Sequence, residues 1–303
     1  MVSRSTPQWA ERDVRNKRFV FFGGSTGIGR AAAIELARRG AAILIVGRGQ
    51  AAGDAVVATL RQEGASSADF LTGDLATVAG IKRVAGEVVA WAPQLHGVMH
   101  TAMSAFHVKL VTSDGFEFAF ALQYFARAAL NRLLLDNLVA SGDGRIVHIA
   151  GDVPGFIRAD LDDLQFERRK WGFYKAVLGT HVLGFLHIQE AARRFREKQL
   201  PVSISASCVG PTKTKAMADK AMPLSMRLMG LLGTSPEKSA QNAVRLLVQN
   251  NSLGTSGCIL RNPKKFEPKH LALEAQQALR LWDITASLAS SRLVNFQPIE
   301  SIR

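Results

Sequence analysis

Two groups of residues in this 303-residue chain have the types and spacing to do chemistry. The run Phe22-Gly23-Gly24-Ser25-Thr26-Gly27-Ile28-Gly29 has the make-up of a phosphate cradle. Glycines there permit a tight turn and let backbone N–H groups approach a pyrophosphate at a helix N-terminus. Far downstream, Tyr174 and His181 lie seven residues apart, which places a phenol and an imidazole on one face if the segment is helical. Such a pair can act as acid and base, since histidine titrates near neutral pH. No histidine has metal-ligand spacing with Cys208 or Cys258, so no metal site is expected.

The elements that must hold these groups follow from apolar runs and their punctuation. Residues 18–22 form a short apolar run ending in glycines, as a buried parallel strand does. A helical pattern covers 28–39 and stops at Gly40, a residue type that tolerates a left-handed cap. Further strands are predicted at 42–46, 97–100, 145–150, 202–208 and 257–260, with long helices near 115–139 and 172–197. Strands alternating with helices give right-handed crossovers and an α/β, doubly wound parallel sheet of Rossmann type. Ligands of such sheets bind beyond the carboxyl ends of the strands. With neither repeat nor linker visible, residues 1–303 read as a single domain, preceded by a polar N-terminal extension at 1–17.

Composition narrows the class. Hydrophobic residues make up 47% of the chain, enough for a substantial core, yet the apolar runs are interrupted before they reach a bilayer-spanning length. Stable membrane insertion is therefore not expected, and the polar start lacks the apolar core of a secretion signal. Both cysteines sit in strand-like runs, as buried free thiols in a reducing, cytoplasmic setting would. The net charge of +13 comes from pairs scattered through helices, such as Arg38-Arg39, Arg193-Arg194 and Lys264-Lys265, rather than from a stripe. That distribution argues for a solvated surface or an anionic ligand and against nucleic acid.

The glycine run resembles the Thr-Gly-x-x-x-Gly-Ile-Gly pattern of short-chain dehydrogenases/reductases, with Phe22 in the threonine's place. Asp114-Gly115-Phe116-Glu117, Ser235-Pro236-Glu237 and Leu281-Trp282 extend the likeness along nearly the whole chain, to the retinol-dehydrogenase-like branch. The resemblance implies dinucleotide contacts at Gly23, Ser25, Thr26, Gly27, Ile28 and Gly29, and at Asp74 and Leu75 for adenine. It implies others at Ala102, within His100-Thr101-Ala102-Met103, and at Gly210 and Thr214 facing nicotinamide. Arg48 stands where NAD-preferring members carry an acidic residue, and a guanidinium there can pair with the 2′-phosphate of NADP(H).

The same register places Gln123, Gly151, Val177 and His181 where the family has its asparagine, serine, tyrosine and lysine. Valine has no proton to give. Positioned acid–base groups supply about 10²–10⁴-fold, roughly 3–5 kcal/mol of barrier. The family's own mechanism is therefore not expected to run, although the adenine half of the site is kept. The substitutes to consider are Gln123, Tyr124, Tyr174 and His181, each of which can equally be a packing residue. His148 reads as a core histidine, His100 as replacing a cofactor contact, and Asp152 as a turn residue. Methionines at 217, 222, 226 and 229 make 212–235 an adaptable substrate lid or an amphipathic core helix.

Three functional readings follow. The first is non-redox chemistry, such as cyclisation, isomerisation or dehydration, on an apolar small molecule of a biosynthetic pathway. The second is an NADPH-dependent carbonyl reductase with a substitute proton donor, and the third a non-catalytic NADP(H)-binding regulator. Family members often pair as homodimers through their two long helices, and the resemblance carries that expectation here.

Overall fold

The structure is a computed structural model that describes residues 10–104, 106–261 and 267–293. The first nine positions of the polar extension and the pair Lys264-Lys265 lie outside them. Strands β1 (Arg18–Phe22), β2 (Ala42–Gly47), β3 (Ser67–Thr72), β4 (Gly97–His100), β5 (Gly144–Gly151), β6 (Val202–Val209), β7 (Cys258–Leu260) and β8 (Lys269–His270) form one sheet. Its order is β3-β2-β1-β4-β5-β6-β7-β8. All neighbours are parallel except β7 and β8, a two-residue antiparallel edge that the sequence pattern did not suggest. The chain runs outward from β1 to β3 and then returns to β4 beside β1. This reversal opens a crevice at the carboxyl ends of β1 and β4, where such sheets bind ligands.

Helices cover both faces. They are α1 (Gly27–Ala37), α2 (Gln50–Gln62), α3 (Val78–Trp91), α4 (Ala126–Leu133), α5 (Leu135–Ala140), α6 (Phe173–Glu197), α7 (Lys215–Ala218), α8 (Leu224–Leu231), α9 (Pro236–Val248) and α10 (Ala275–Arg292). Alternation along β1 sends Phe19 and Phe21 into the layer under α1, α2 and α9, and Val20 and Phe22 into the layer under α3, α4 and α6. Two apolar cores, one on each face, hold the sheet rigid beneath the crevice. The N-terminal stretch is partly built in: Val14 is buried, and Arg12 donates to Asp143 at 2.7 Å and to the His96 carbonyl at 3.0 Å.

The predicted helix at 115–139 is not one helix. Residues Phe120–Phe125 form a π-helical segment, α4 follows, and Leu134 breaks the chain direction before α5. Bonding from i to i+5 stacks residues five apart instead of three or four apart. Side chains in and after that segment therefore point where an α-helical wheel would not put them.

Candidate functional site

A cleft of about 640 Å³ opens at the crevice, and it is lined by residues from both halves of the sheet. At one end lies the turn after β1. Gly23 has φ +93° and Gly27 φ +57°, in the left-handed region open to glycine. A Cβ on Gly23 would stand 2.4 Å from the backbone nitrogen of Ala102, so the two strand ends touch only because Gly23 has no side chain. The hydroxyl of Thr101 donates to the Gly23 carbonyl at 2.9 Å and fastens this contact. Thr26, the N-cap of α1, makes no side-chain capping bond. The first-turn N–H groups at Gly27, Ile28 and Gly29 are left facing the cleft, a positive helix end without an internal partner. These features fit a pyrophosphate.

Around this cradle the remaining dinucleotide candidates fall into place along the cleft wall. Gly23, Ser25, Thr26, Gly27, Ile28, Gly29, Arg48, Asp74, Leu75, Ala102, Gly210 and Thr214 all line it. Arg48 crosses from the end of β2 to donate to the Ser104 hydroxyl at 3.2 Å. The Asp74 carboxylate accepts from the N–H of Ala76 at 3.0 Å, which shapes the turn after β3. Thr214 caps α7 through the N–H of Met217 at 3.2 Å.

The other end is built from β5, α6 and the lid. Gly151 N–H donates to Nδ1 of His181 at 3.1 Å, so the ring's proton sits on Nε2. Burial, reinforced by the charge of Arg127, lowers the His181 pKa to about 3, and the ring is neutral at physiological pH. Neutral-pH acid–base cycling, expected of this histidine from its ordinary pKa, is thereby replaced by a fixed neutral tautomer. A Cβ on Gly151 would lie 3.2 Å from Cε1 of His181, so imidazole and glycine occupy each other's space. Val177 packs with Phe173 and Met222 into an apolar wall. Tyr174 is 43% exposed, and its hydroxyl bonds the Ser225 hydroxyl at 2.7 Å, which ties the start of α6 to α8. Tyr174, Val177 and His181 all line the cleft.

Two of the candidate residues do not. Gln123 is buried beside the cleft, donating to the Ser104 carbonyl at 3.1 Å, and its Oε1 has no partner. Tyr124 turns the other way and bonds Thr285 of α10, and burial raises its phenol pKa far above the usual range. The π-helical segment explains both: it brings Leu122 and Arg127, five residues apart, onto the cleft wall in their stead. His100 is also elsewhere. It pairs in register with Phe22 and His148, stacks on Phe22, and bonds Asn131 at 2.8 Å inside the core. Asp152 lines the cleft mouth in an ion pair with Arg261 at 2.7 Å.

The segment 212–235, expected from sequence to be a lid, lines the apolar end of the cleft. Its base is pinned where Thr212 bridges Thr234 and both hydroxyls bond that of Ser239 at 2.8 Å. Met217, Met222, Met226 and Met229 face the cleft, whereas Leu224, Leu228, Leu231 and Leu232 are exposed on the outside. Methionine's flexible thioether suits a surface that must adapt to an apolar ligand. Arg127, not among the residues singled out from sequence, also lines the cleft and is buried. Its signal was a lone cation in the apolar run Phe125-Ala126-Arg127-Ala128-Ala129-Leu130. Among the described residues no group of three His, Cys, Asp or Glu side chains could hold a metal, and no helix is long and apolar enough to cross a membrane.

The family model for short chain dehydrogenases matches residues 17–156. Human (Homo sapiens) retinol dehydrogenase 13 is 29% identical over 287 residues, which cover 91% of this chain and 85% of that protein. Polyprenol dehydrogenase of Mus musculus is 28% identical, with 86% and 80% covered. Among solved structures, a 3-oxoacyl (acyl-carrier-protein) reductase from Agrobacterium tumefaciens with NADP bound superposes with a TM-score of 0.63 at 20% identity, covering 82% of this chain and 93% of that one. The N-terminal part of the chain thus matches the short chain dehydrogenase model, and most of its length is similar to retinol and polyprenol dehydrogenases.

Proposed function

We propose that this protein holds NADP(H) and an apolar carbonyl or alcohol in this cleft and works as an oxidoreductase in which neutral His181 takes over the carbonyl-orienting role. The observation that carries this reading is the Gly151 N–H bond to Nδ1 of His181, which fixes a donor on Nε2 in the cleft. A bound NADPH would supply hydride. The α1 N-terminus and the turn at Gly23–Gly29 would hold its pyrophosphate, and Arg48 its 2′-phosphate. The relatives are named for retinol and polyprenol, apolar molecules that suit the methionine-lined end of the cleft.

His181 would donate a hydrogen bond to the substrate oxygen and stabilise the negative charge that develops there. A neutral imidazole polarises a carbonyl without giving up a formal charge, and the low pKa keeps it in that form. Without a phenol at position 177 the proton would come from Tyr174, which lines the cleft, or from water, so turnover should be slow by about 10²–10⁴-fold against a complete relay. A second reading is favoured by the apolar wall of Phe173, Val177 and Met222, which stands where the family's tyrosine would be. There the scaffold performs cyclisation, isomerisation or dehydration of an apolar molecule, with shape and the His181 donor as its tools.

Titrating the protein with NADPH and NADP⁺ by calorimetry, beside Arg48→Ala, tests the first part. The variant should bind at least tenfold more weakly, as expected for loss of a charge-assisted bond of roughly 1.5–3 kcal/mol. Apolar aldehydes and ketones are then followed at about 340 nm, where loss of absorbance reports NADPH oxidation. Oxidation that drops in His181→Ala supports the oxidoreductase. An apolar ligand transformed at constant absorbance supports the second reading, and no nucleotide binding at all would overturn the first.

A further inference from the structure

Among the described residues, buried arginines come with carboxylates, with one exception. Arg145, fully buried, pairs with Asp143 at 2.8 Å, and Arg12 pairs with the same carboxylate at 2.7 Å. Arg127 is just 6% exposed, and no carboxylate among the described residues pairs with it. Its guanidinium donates to two backbone carbonyls, Ile149 at 2.8 Å and Ala102 at 3.3 Å, and its Nε finds no acceptor. Carbonyl dipoles soften the charge but do not cancel it. Burial brings the pKa down to about 10, so the group is still a cation at neutral pH. An uncompensated buried charge is costly, and proteins pair or neutralise it.

The place of this charge is informative. Arg127 lines the cleft between the ends of β4 and β5, on the wall that also carries His181, and its field reaches His100, His148 and His181. The other walls of this end are mainly apolar, with Phe173, Val177, Leu122 and the methionines of 212–235; the polar groups beside them are Tyr174, bonded to Ser225, and Asp152, ion-paired with Arg261. The phosphate cradle at α1 has its own donors and does not need this side chain. A cation at the bottom of an apolar pocket suits an oxyanion attached to an apolar body.

We infer that the cleft takes an apolar ligand bearing an anionic group, a carboxylate, and that Arg127 is the counter-charge that selects it. The inference rests on the proposed use of this cleft as the ligand site and narrows its substrate class to apolar carbonyl compounds or alcohols that also carry a carboxylate. Arg127 is then a specificity-determining residue, one that makes neutral alcohols and ketones the poorer ligands. The π-helical segment is what allows it, since an α-helical turn at Phe120–Phe125 would not align Leu122 and Arg127 on one wall.

Dodecanoate and dodecanol, probes of equal chain length, separate charge from apolar fit. Each is titrated by calorimetry into the full chain, with and without NADPH, and into Arg127→Gln and Arg127→Lys. Dodecanoate should bind at least tenfold tighter than dodecanol. Arg127→Gln should remove that preference while leaving dodecanol affinity in place, and Arg127→Lys should keep part of it. Equal affinities in the unmodified protein, or a preference that survives in Arg127→Gln, overturn the inference. So does a loss of NADPH affinity in Arg127→Gln with no dodecanoate preference, which would assign the guanidinium to a cofactor phosphate. Should Arg127→Gln lose its fold by circular dichroism, the two probes on the unmodified protein and on Arg127→Lys decide. A dodecanoate preference without any NADPH binding would sink the nucleotide reading and leave this one standing.

Discussion

The two ends of the cleft are made of different material. The glycine end, the proposed phosphate site, is made of backbone: two left-handed glycines, an uncapped helix end, and a contact between Gly23 and Ala102 with no room for a Cβ. The reacting end is made of side chains: His181 against Gly151, Val177 in an apolar wall, Tyr174 tied to the lid. A backbone cradle cannot be altered one atom at a time, because every change strains the turn. Side chains can be exchanged singly while the sheet below stays rigid. By this difference the glycine end should tolerate few substitutions, and the end at His181 should tolerate more.

The largest effect should come from breaking the backbone end. Gly23→Ala puts a methyl 2.4 Å from a backbone nitrogen at a φ of +93°, where neither party is a flexible side chain. Strain at such a position costs about 1–3 kcal/mol before the clash is counted. The melting temperature should fall by at least about 5 °C, and NADPH binding should be lost with it. A variant with unchanged melting and unchanged NADPH affinity would show that the glycine cradle is not what holds the two halves of the sheet in register.

Acid should test the reacting end next. Beneath it lie His100, His148 and His187, gathered around Asn131 at 2.8, 3.0 and 3.3 Å, and beside them His181. Desolvation holds His100 and His181 at about 3, His187 at about 4, and His148 well below its ordinary value. Unfolded, each protonates near pH 6.5. Between those limits the unfolded chain binds more protons than the folded one, so stability is full above about pH 6.5 and falls as pH drops toward 4. Each histidine contributes roughly 1.4 kcal/mol per pH unit in that window. Urea unfolding at pH 7, 6 and 5 reads the slope, and above pH 5 the carboxylates are largely ionised in both states and contribute little. A flat profile from 7 to 5 would mean that water already reaches this cluster.

Much of the phosphate end could be read from residues in order, because a turn between strand and helix is a local object. Strands at 18–22 and 97–100 and the helix from 172 were equally visible, as apolar runs bounded by glycine or a periodic pattern. The reacting end was legible in position but not in physics. His181 was placed from its register, yet its neutral tautomer depends on a backbone N–H thirty residues away in sequence. The π-helical segment left no trace, because Phe-Ala-Leu-Gln-Tyr-Phe is apolar on nearly every side and carries no period to misread. That one local rewinding moved Gln123 and Tyr124 off the cleft and brought Arg127 onto it. Strand β8, two residues long, is set by pairing to β7 alone.

If the reacting end is a set of exchanged side chains, its members should be coupled, and Gly151 with His181 is the pair to test. Gly151→Ser places a Cβ 3.2 Å from Cε1 and 3.3 Å from Nδ1 of His181, so the ring must shift and its bond from the Gly151 N–H must lengthen. On its own the substitution should cost about 1–2 kcal/mol, in the range of mild overpacking. His181→Ala leaves that N–H without its partner, a loss of about 1–3 kcal/mol. With both changes the serine meets no ring and its hydroxyl faces the vacated space. The double variant should therefore be more stable than the sum of the single losses predicts, by about 1 kcal/mol, in a urea-unfolding cycle. Strict additivity would mean that glycine and imidazole occupy neighbouring sites independently, and the reacting end would then be a loose collection of substitutions instead of one rebuilt unit.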